Sequence, residues 1–186
     1  MAFIVSRMSV DIYRPIYKGE LVRLNTWCTP SRGAIYPRYH EFYVGEELAL
    51  KASSVWGLIN IDTRDLVLAN EYDTSSYPMD EPPKLEIPTR VRQPKDIDYE
   101  LVEERKALYS KIDINGHINN TMYPDMLYEV IPGIEEYNLS SINLRFVHEA
   151  KLGEELGIYT SKLLESDKID PKAEKIAYVY SLINGE

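Results

Sequence analysis

Between residues 3 and 61 the apolar positions fall in four stretches rich in β-branched and aromatic side chains: FIVSRMSVDIY, ELVRLNTWCT, AIYPRYHEFYV and LALKASSVWGLINI. Each reads as a strand. The separators YKGE, PSRG and VGEE are short enough for hairpins or tight meanders, so the stretch predicts one antiparallel sheet with no helix. Residues 72–98 hold five prolines and no apolar period, which predicts an extended surface connector. A second module is expected over residues 99–186. LVEERKALYSK reads as a strand. In NNTMYPDMLYEVIPG, Met122, Met126 and Val130 share one helical row and Tyr123, Leu127 and Ile131 the next, a helix ended by Pro132 and Gly133. Three further strands follow, in SSINLRFVHEA, ELGIYTSKLLE and EKIAYVYSLI. The expected division is therefore strands only over 1–71, a linker over 72–98, and a strand, helix and strand run over 99–186.

Composition narrows the function classes. A chain of 186 residues that is 44% hydrophobic can bury a sizeable core. It contains no apolar run near the roughly 18 residues a membrane helix needs, and its start lacks signal-peptide form, so a soluble cytoplasmic protein is expected. Cys28 is the single cysteine; it excludes an internal disulfide or multi-cysteine metal site and reads as a buried small hydrophobe. A formal net charge of −9 argues against nucleic acid as a partner. Residues 1–44 run the other way, since Arg7, Arg14, Lys18, Arg23, Arg32 and Arg38 outnumber Asp11, Glu20 and Glu41. Two readings stand for these bases: a dock for an acidic partner, or strand residues that solvate the sheet.

The chemistry concentrates in SKIDINGHINN, between a strand and the helix. Asp113, Asn115 and His117 lie at i, i+2 and i+4, and in an extended segment that spacing sends all three to one face. A carboxylate, an amide and an imidazole beside a helix start combine a base, a carbonyl-polarising donor and unpaired backbone N–H groups, the parts of an acyl hydrolase. Turn and capping roles are the plainer alternative for Asp113, Asn115 and Gly116. A calcium loop fits poorly, because His117 falls at the third ligand position and no Glu follows at the required distance. His40 matches no motif and is read as structural.

The segment DINGHINNTMY resembles the second hotdog module of the acyl-acyl carrier protein thioesterases, where D-x-N-x-H-x-N-N precedes the helix. NTW at 25–27, SSVW at 53–56 and DTR at 62–64 resemble later strands of that family's first module, and LRFVHEAKLGEEL resembles the strand bearing its acidic catalytic residue. The resemblance implies an α+β fold of tandem hotdog modules, antiparallel sheets wrapped around a helix. It also implies that Asp113, Asn115, His117 and Glu149 form the catalytic set, with no cofactor or metal. Glu149 and His148 point to opposite faces of a strand, so a one-residue shift would exchange them. Ala150 stands where plant members carry a Cys, which excludes a thiol nucleophile at that position.

The implied reaction is hydrolysis of fatty acyl-acyl carrier protein, either by water activated through His117 with Glu149 or Asp113, or by Asp113 as a nucleophile. The implied partner is acyl carrier protein bearing acyl-phosphopantetheine, and the basic side chains Arg14, Arg23 and Arg38 would receive it. Two alternatives stay open: a hotdog enzyme acting on coenzyme A thioesters, and a non-catalytic acyl-binding or structural remnant. Family members carry a strand and a helix ahead of the point where this sequence starts, so the first module is expected to be incomplete and to lack its helix. The half-sheet left open favours a homo-oligomer. Pro124 is expected to delay the helix start by a residue or two.

Overall fold

The computed structural model describes residues 1–77, 79–81, 91, 93–166 and 173–185. They form two compact units, Met1–Val91 with Leu139–Phe146, and Arg92–Asn138 with Val147–Glu186. Much of the expected Pro-rich connector, residues 78, 82–90 and 92, lies outside the described residues.

The first unit is an antiparallel sheet built from the four early stretches. Its strands are β1 (Ala2–Ile12), β2 (Val22–Cys28), β3 (Tyr36–Val44) and β4 (Glu47–Ile59), with the short β5 (Leu66–Val67) against β4. The order is β2-β3-β4-β1-β7, so β4 is central, and Ala49, Ala52, Ser54, Leu58 and Ile59 on it are buried. Two expected hairpins form, β2 to β3 and β3 to β4. The YKGE separator does not close one: β1 pairs with β4, and the chain crosses to the far edge before starting β2. Among the described residues this unit has no helix.

The strand β7 (Ser141–Arg145) departs from the sequence reading. Its position in the sequence makes it the first strand after the helix of the second module. Instead it pairs antiparallel with β1, Met8 opposite Leu144 and Val10 opposite Ile142, and belongs to the first unit. The physical reason is the ladder of β1, whose second row of backbone groups needs a partner once β4 has taken the first.

In the second unit, β6 (Glu100–Lys106), β8 (Glu155–Thr160) and β11 (Val179–Ile183) form a three-stranded sheet in the order β11-β8-β6. A separate pair, β9 (Leu164–Glu165) and β10 (Lys175–Ile176), completes the strands. Strand β8 shows the two-residue alternation, with Leu156, Ile158 and Thr160 buried. Leu156 and Ile158 face helix α1 (Met122–Tyr128), whose Met126 is buried among Ala107, Ile118, Ala150, Leu156 and Ile158. Met122, Tyr123, Leu127 and Val130 pack around this cluster. The helix ends at Tyr128, earlier than Pro132 and Gly133 required. Pro124 is its third residue, where the N–H has no intrahelical partner to lose.

Arg105 ties β6 to the end of α1. Its guanidinium donates to Glu103 Oε2 at 2.7 Å and to Glu129 Oε2 at 2.8 Å, and its Nε approaches Glu103 Oε1 at 2.6 Å without hydrogen-bond alignment. The hydrogen bond from Arg105 holds the Glu103 carboxyl below its ordinary value of 4.5. A depressed carboxyl contributes stability that is full above its unfolded pKa and is lost as pH falls through the folded one. Glu103→Gln is therefore expected to be less stable than the wild type at neutral pH in urea unfolding, with the difference closing as pH drops below 4.5. A difference independent of pH would show that the pair contributes nothing through its charge.

Candidate active site

The D-x-N-x-H segment is a turn and not an extended strand. Ile112 and Ile118 pair across an antiparallel bridge, Asp113 N–H donates to His117 C=O at 2.9 Å, and Gly116 N–H donates back to Asp113 C=O at 3.0 Å. Gly116 adopts φ +84°, a conformation that side-chain-bearing residues avoid. The pattern is a three-residue hairpin loop closed by a left-handed residue.

This geometry separates the three side chains that an extended segment would have aligned. Asn115 folds back on Asp113: its backbone N–H reaches Oδ1 at 2.8 Å and its Nδ2 reaches Oδ2 at 3.3 Å. The tip is open, with Ile114 fully exposed. His117 lies past the turn and meets a different partner.

That partner comes from a short backbone ladder. His117 and Lys151 form an antiparallel bridge, and Ile118 N–H donates to Ala150 C=O at 2.8 Å. Alternation turns Ile118 and Ala150 inward, 4% and 0% exposed, and turns His117 and its diagonal neighbour Glu149 to the other face. There His117 Nε2 lies 3.2 Å from Glu149 Oε2, the imidazole 15% and the carboxylate 52% exposed. His148 is exposed. The structure thus holds two pairs, Asp113 with Asn115 and His117 with Glu149, linked through the backbone bond from Asp113 to His117.

Residues 1–74 of this chain match the acyl-ACP thioesterase N-terminal domain, and residues 94–184 match the acyl-ACP thioesterase C-terminal domain. The chain belongs to the acyl-ACP thioesterase family. It is 24% identical over 184 residues to an oleoyl-acyl carrier protein thioesterase, chloroplastic, of Coriandrum sativum, a match covering 90% of this chain and 49% of that protein. It is 29% identical over 161 residues to a palmitoyl-acyl carrier protein thioesterase, chloroplastic, of Cuphea hookeriana, covering 80% and 38%. A crystal structure of an acyl-ACP thioesterase from Bacteroides thetaiotaomicron superposes with a TM-score of 0.80 at 26% identity, covering 99% of this chain and 72% of that one. The chain spans about half the length, or less, of these curated relatives. Its fold is the hotdog fold of the acyl-ACP thioesterases.

Against the thioesterase reading of the sequence, three local expectations change. The backbone donors expected at the helix start are partly consumed, because Asn119 Oδ1 takes the Thr121 N–H at 2.9 Å and Asn119 C=O takes the Met122 N–H at 2.9 Å. The basic side chains near the N-terminus are largely engaged. Arg14 pairs with Glu20 and Glu47, Arg38 donates to Thr26 Oγ1 at 2.9 Å and to Cys28 Sγ at 3.6 Å, and Arg23 lies 4.4 Å over the Tyr43 ring. Cys28 is half-buried, where full burial was expected. His40 is structural in its contacts: its Nε2 lies 3.4 Å from Ser54 Oγ, and burial together with nearby Arg38 lowers its pKa. Among the described residues no cluster of His, Cys, Asp and Glu is placed to hold a metal, and no helix is long and apolar enough to cross a membrane.

Tyr123 packs against the buried cluster of Ile118, Met126, Ala150 and Leu156, as its helical row predicts, and burial raises the pKa of its phenol.

Gly116→Ala tests the turn. No atom lies within 4 Å of an added Cβ, so the cost is purely conformational. A loss of about 1–2 kcal/mol in urea unfolding is expected, the price of a left-handed backbone for a residue with a side chain. Unchanged stability would mean that the loop takes another turn in solution.

Proposed function

We propose that this chain hydrolyses thioesters of fatty acids carried on acyl carrier protein, releasing free fatty acid and the carrier thiol. The observation that carries the reading is the 3.2 Å pairing of His117 with Glu149, next to the Asp113 and Asn115 turn in a chain of this family. Ionised Glu149 can only accept, so Nε2 of a neutral His117 carries the ring proton and Nδ1 holds the free lone pair. Nδ1 then takes a proton from water as its oxygen attacks the thioester carbonyl, and the imidazolium gains stability from Glu149. Collapse of the tetrahedral intermediate breaks the carbon–sulfur bond, and the proton on His117 passes to the departing thiolate. A thiolate is a good leaving group, so no stronger acid is required.

Asn115 supplies the carbonyl donor in this reading. One of its two Nδ2 hydrogens is spent on Asp113 Oδ2, which orients the amide and leaves the second for the substrate oxygen. Asp113 is thereby a poorer nucleophile, since both of its carboxylate oxygens already accept hydrogen bonds from Asn115. That geometry supports the water route over an acyl-Asp113 anhydride.

A second reading, hydrolysis of acyl-coenzyme A, gains from the engagement of Arg14 and Arg38, which leaves fewer cations for an acidic carrier. Association is proposed too: among the described residues β2 pairs beyond β3 only through the Cys28 bridge to Met79, and it carries half-exposed Leu24, with Leu21 90% exposed just before it, a surface suited to a second copy of the chain.

Thiol release from matched acyl carrier protein and acyl-coenzyme A thioesters tests the reading. His117→Ala is expected to lose about 100- to 10,000-fold in kcat, the usual contribution of a general base. Release in the wild type that survives in His117→Ala would place the chemistry elsewhere. A wild type that releases thiol from neither substrate would leave a non-catalytic role, and one that prefers coenzyme A would select the second reading.

A further inference from the structure

Lys151 stands directly across from His117. The two form an antiparallel bridge, and the backbone bond beside it, Ile118 N–H to Ala150 C=O at 2.8 Å, flanks the pair without joining it. In such a pair the side chains share one face and stand closest, with Cα atoms about 4.5 Å apart. Lys151 therefore projects beside the imidazole, on the face that also carries Glu149. A tight turn fixes its backbone from the other side. Lys151 N–H donates to Glu154 Oε2 at 2.7 Å, Glu154 N–H donates to Lys151 C=O at 3.1 Å, and Gly153 between them takes φ +87°.

The Lys151 side chain is exposed, and the neighbouring carboxylates are engaged elsewhere, Glu149 with His117 and Glu154 with the Lys151 backbone. A cation beside a base opposes its protonation, so this placement does nothing for proton transfer to His117. What it suits is negative charge. Thioester hydrolysis makes that charge twice, on the carbonyl oxygen of the tetrahedral intermediate and on the carboxylate of the released acid, and both form where water activated by His117 attacks.

We propose that Lys151 is a further catalytic residue: its ammonium faces the thioester carbonyl oxygen, holds the negative charge that develops there, and then holds the product carboxylate. The proposal rests on the reading of His117 as the base. As the water oxygen bonds to the carbonyl carbon, the π electron pair moves onto the carbonyl oxygen against Lys151. It returns as the carbon–sulfur bond breaks, and the thiolate takes its proton from His117. The fatty acid so formed loses its proton to solvent, and its carboxylate stays against the ammonium. Lys151 donates a hydrogen bond throughout and transfers no proton.

The test uses the full chain with Lys151→Met, which removes the charge and keeps the length of the side chain, and Lys151→Arg, which keeps a charge. Binding is measured for dodecanoate and hexadecanoate and for the matching alcohols. The wild type and Lys151→Arg are expected to hold each carboxylate about tenfold more tightly than its alcohol, the worth of one charge-assisted hydrogen bond, and Lys151→Met to lose the preference. In thiol release, Lys151→Met is expected to lower kcat about 10- to 100-fold at unchanged KM. A wild type without the preference, a preference or a kcat that survives in Lys151→Met, or a loss shared equally by Lys151→Arg overturns the proposal and leaves the reading of His117 standing. A chain that releases no thiol but loses its carboxylate preference in Lys151→Met keeps the anion-holding role and sinks the hydrolase reading instead.

Discussion

The site depends on one short backbone ladder, the pairing of residues 117–118 with 150–151. Two contacts define it, the Ile118 to Ala150 hydrogen bond at 2.8 Å and the His117 to Lys151 bridge. Alternation about this ladder does the rest. It buries Ile118 and Ala150 in the second unit's core and leaves His117 and Glu149 side by side on the accessible face. The same short ladder thus joins the buried core to the candidate site.

The two halves of the candidate site are held by different means. His117 and Glu149 are positioned by tertiary pairing between segments far apart in sequence, whereas Asp113 and Asn115 are positioned locally by a hairpin turn that Gly116 makes possible. In the proposed reaction the partly buried pair would move the proton, and the exposed turn would present the Asn115 amide to the carbonyl. Helix α1 contributes packing more than charge, since Asn119 occupies amides at its entrance.

Most of the secondary structure was legible in the sequence because strand and helix periods are local properties. The four early strands, β6 and the rows of α1 follow from apolar spacing. What was not legible depended on pairing at a distance. The sequence of β7 reads the same whichever sheet it joins, and only the free edge of β1 decides. An i, i+2, i+4 spacing has one meaning in a strand and another in a turn, and Gly116 with its positive φ selects the turn. The arginines of the first unit looked free because their partners, Glu47 for Arg14 and Thr26 for Arg38, are brought beside them by sheet register.

The central claim is that His117 and Glu149 act as a unit on a thioester. A double-mutant cycle on kcat for acyl carrier protein thioesters, with His117→Ala, Glu149→Gln and the two combined, tests it most directly. The account predicts that the double variant is no slower than His117→Ala alone, because Glu149 has nothing to support once the imidazole is gone. Losses that multiply in the double variant would contradict it, showing two groups that work independently.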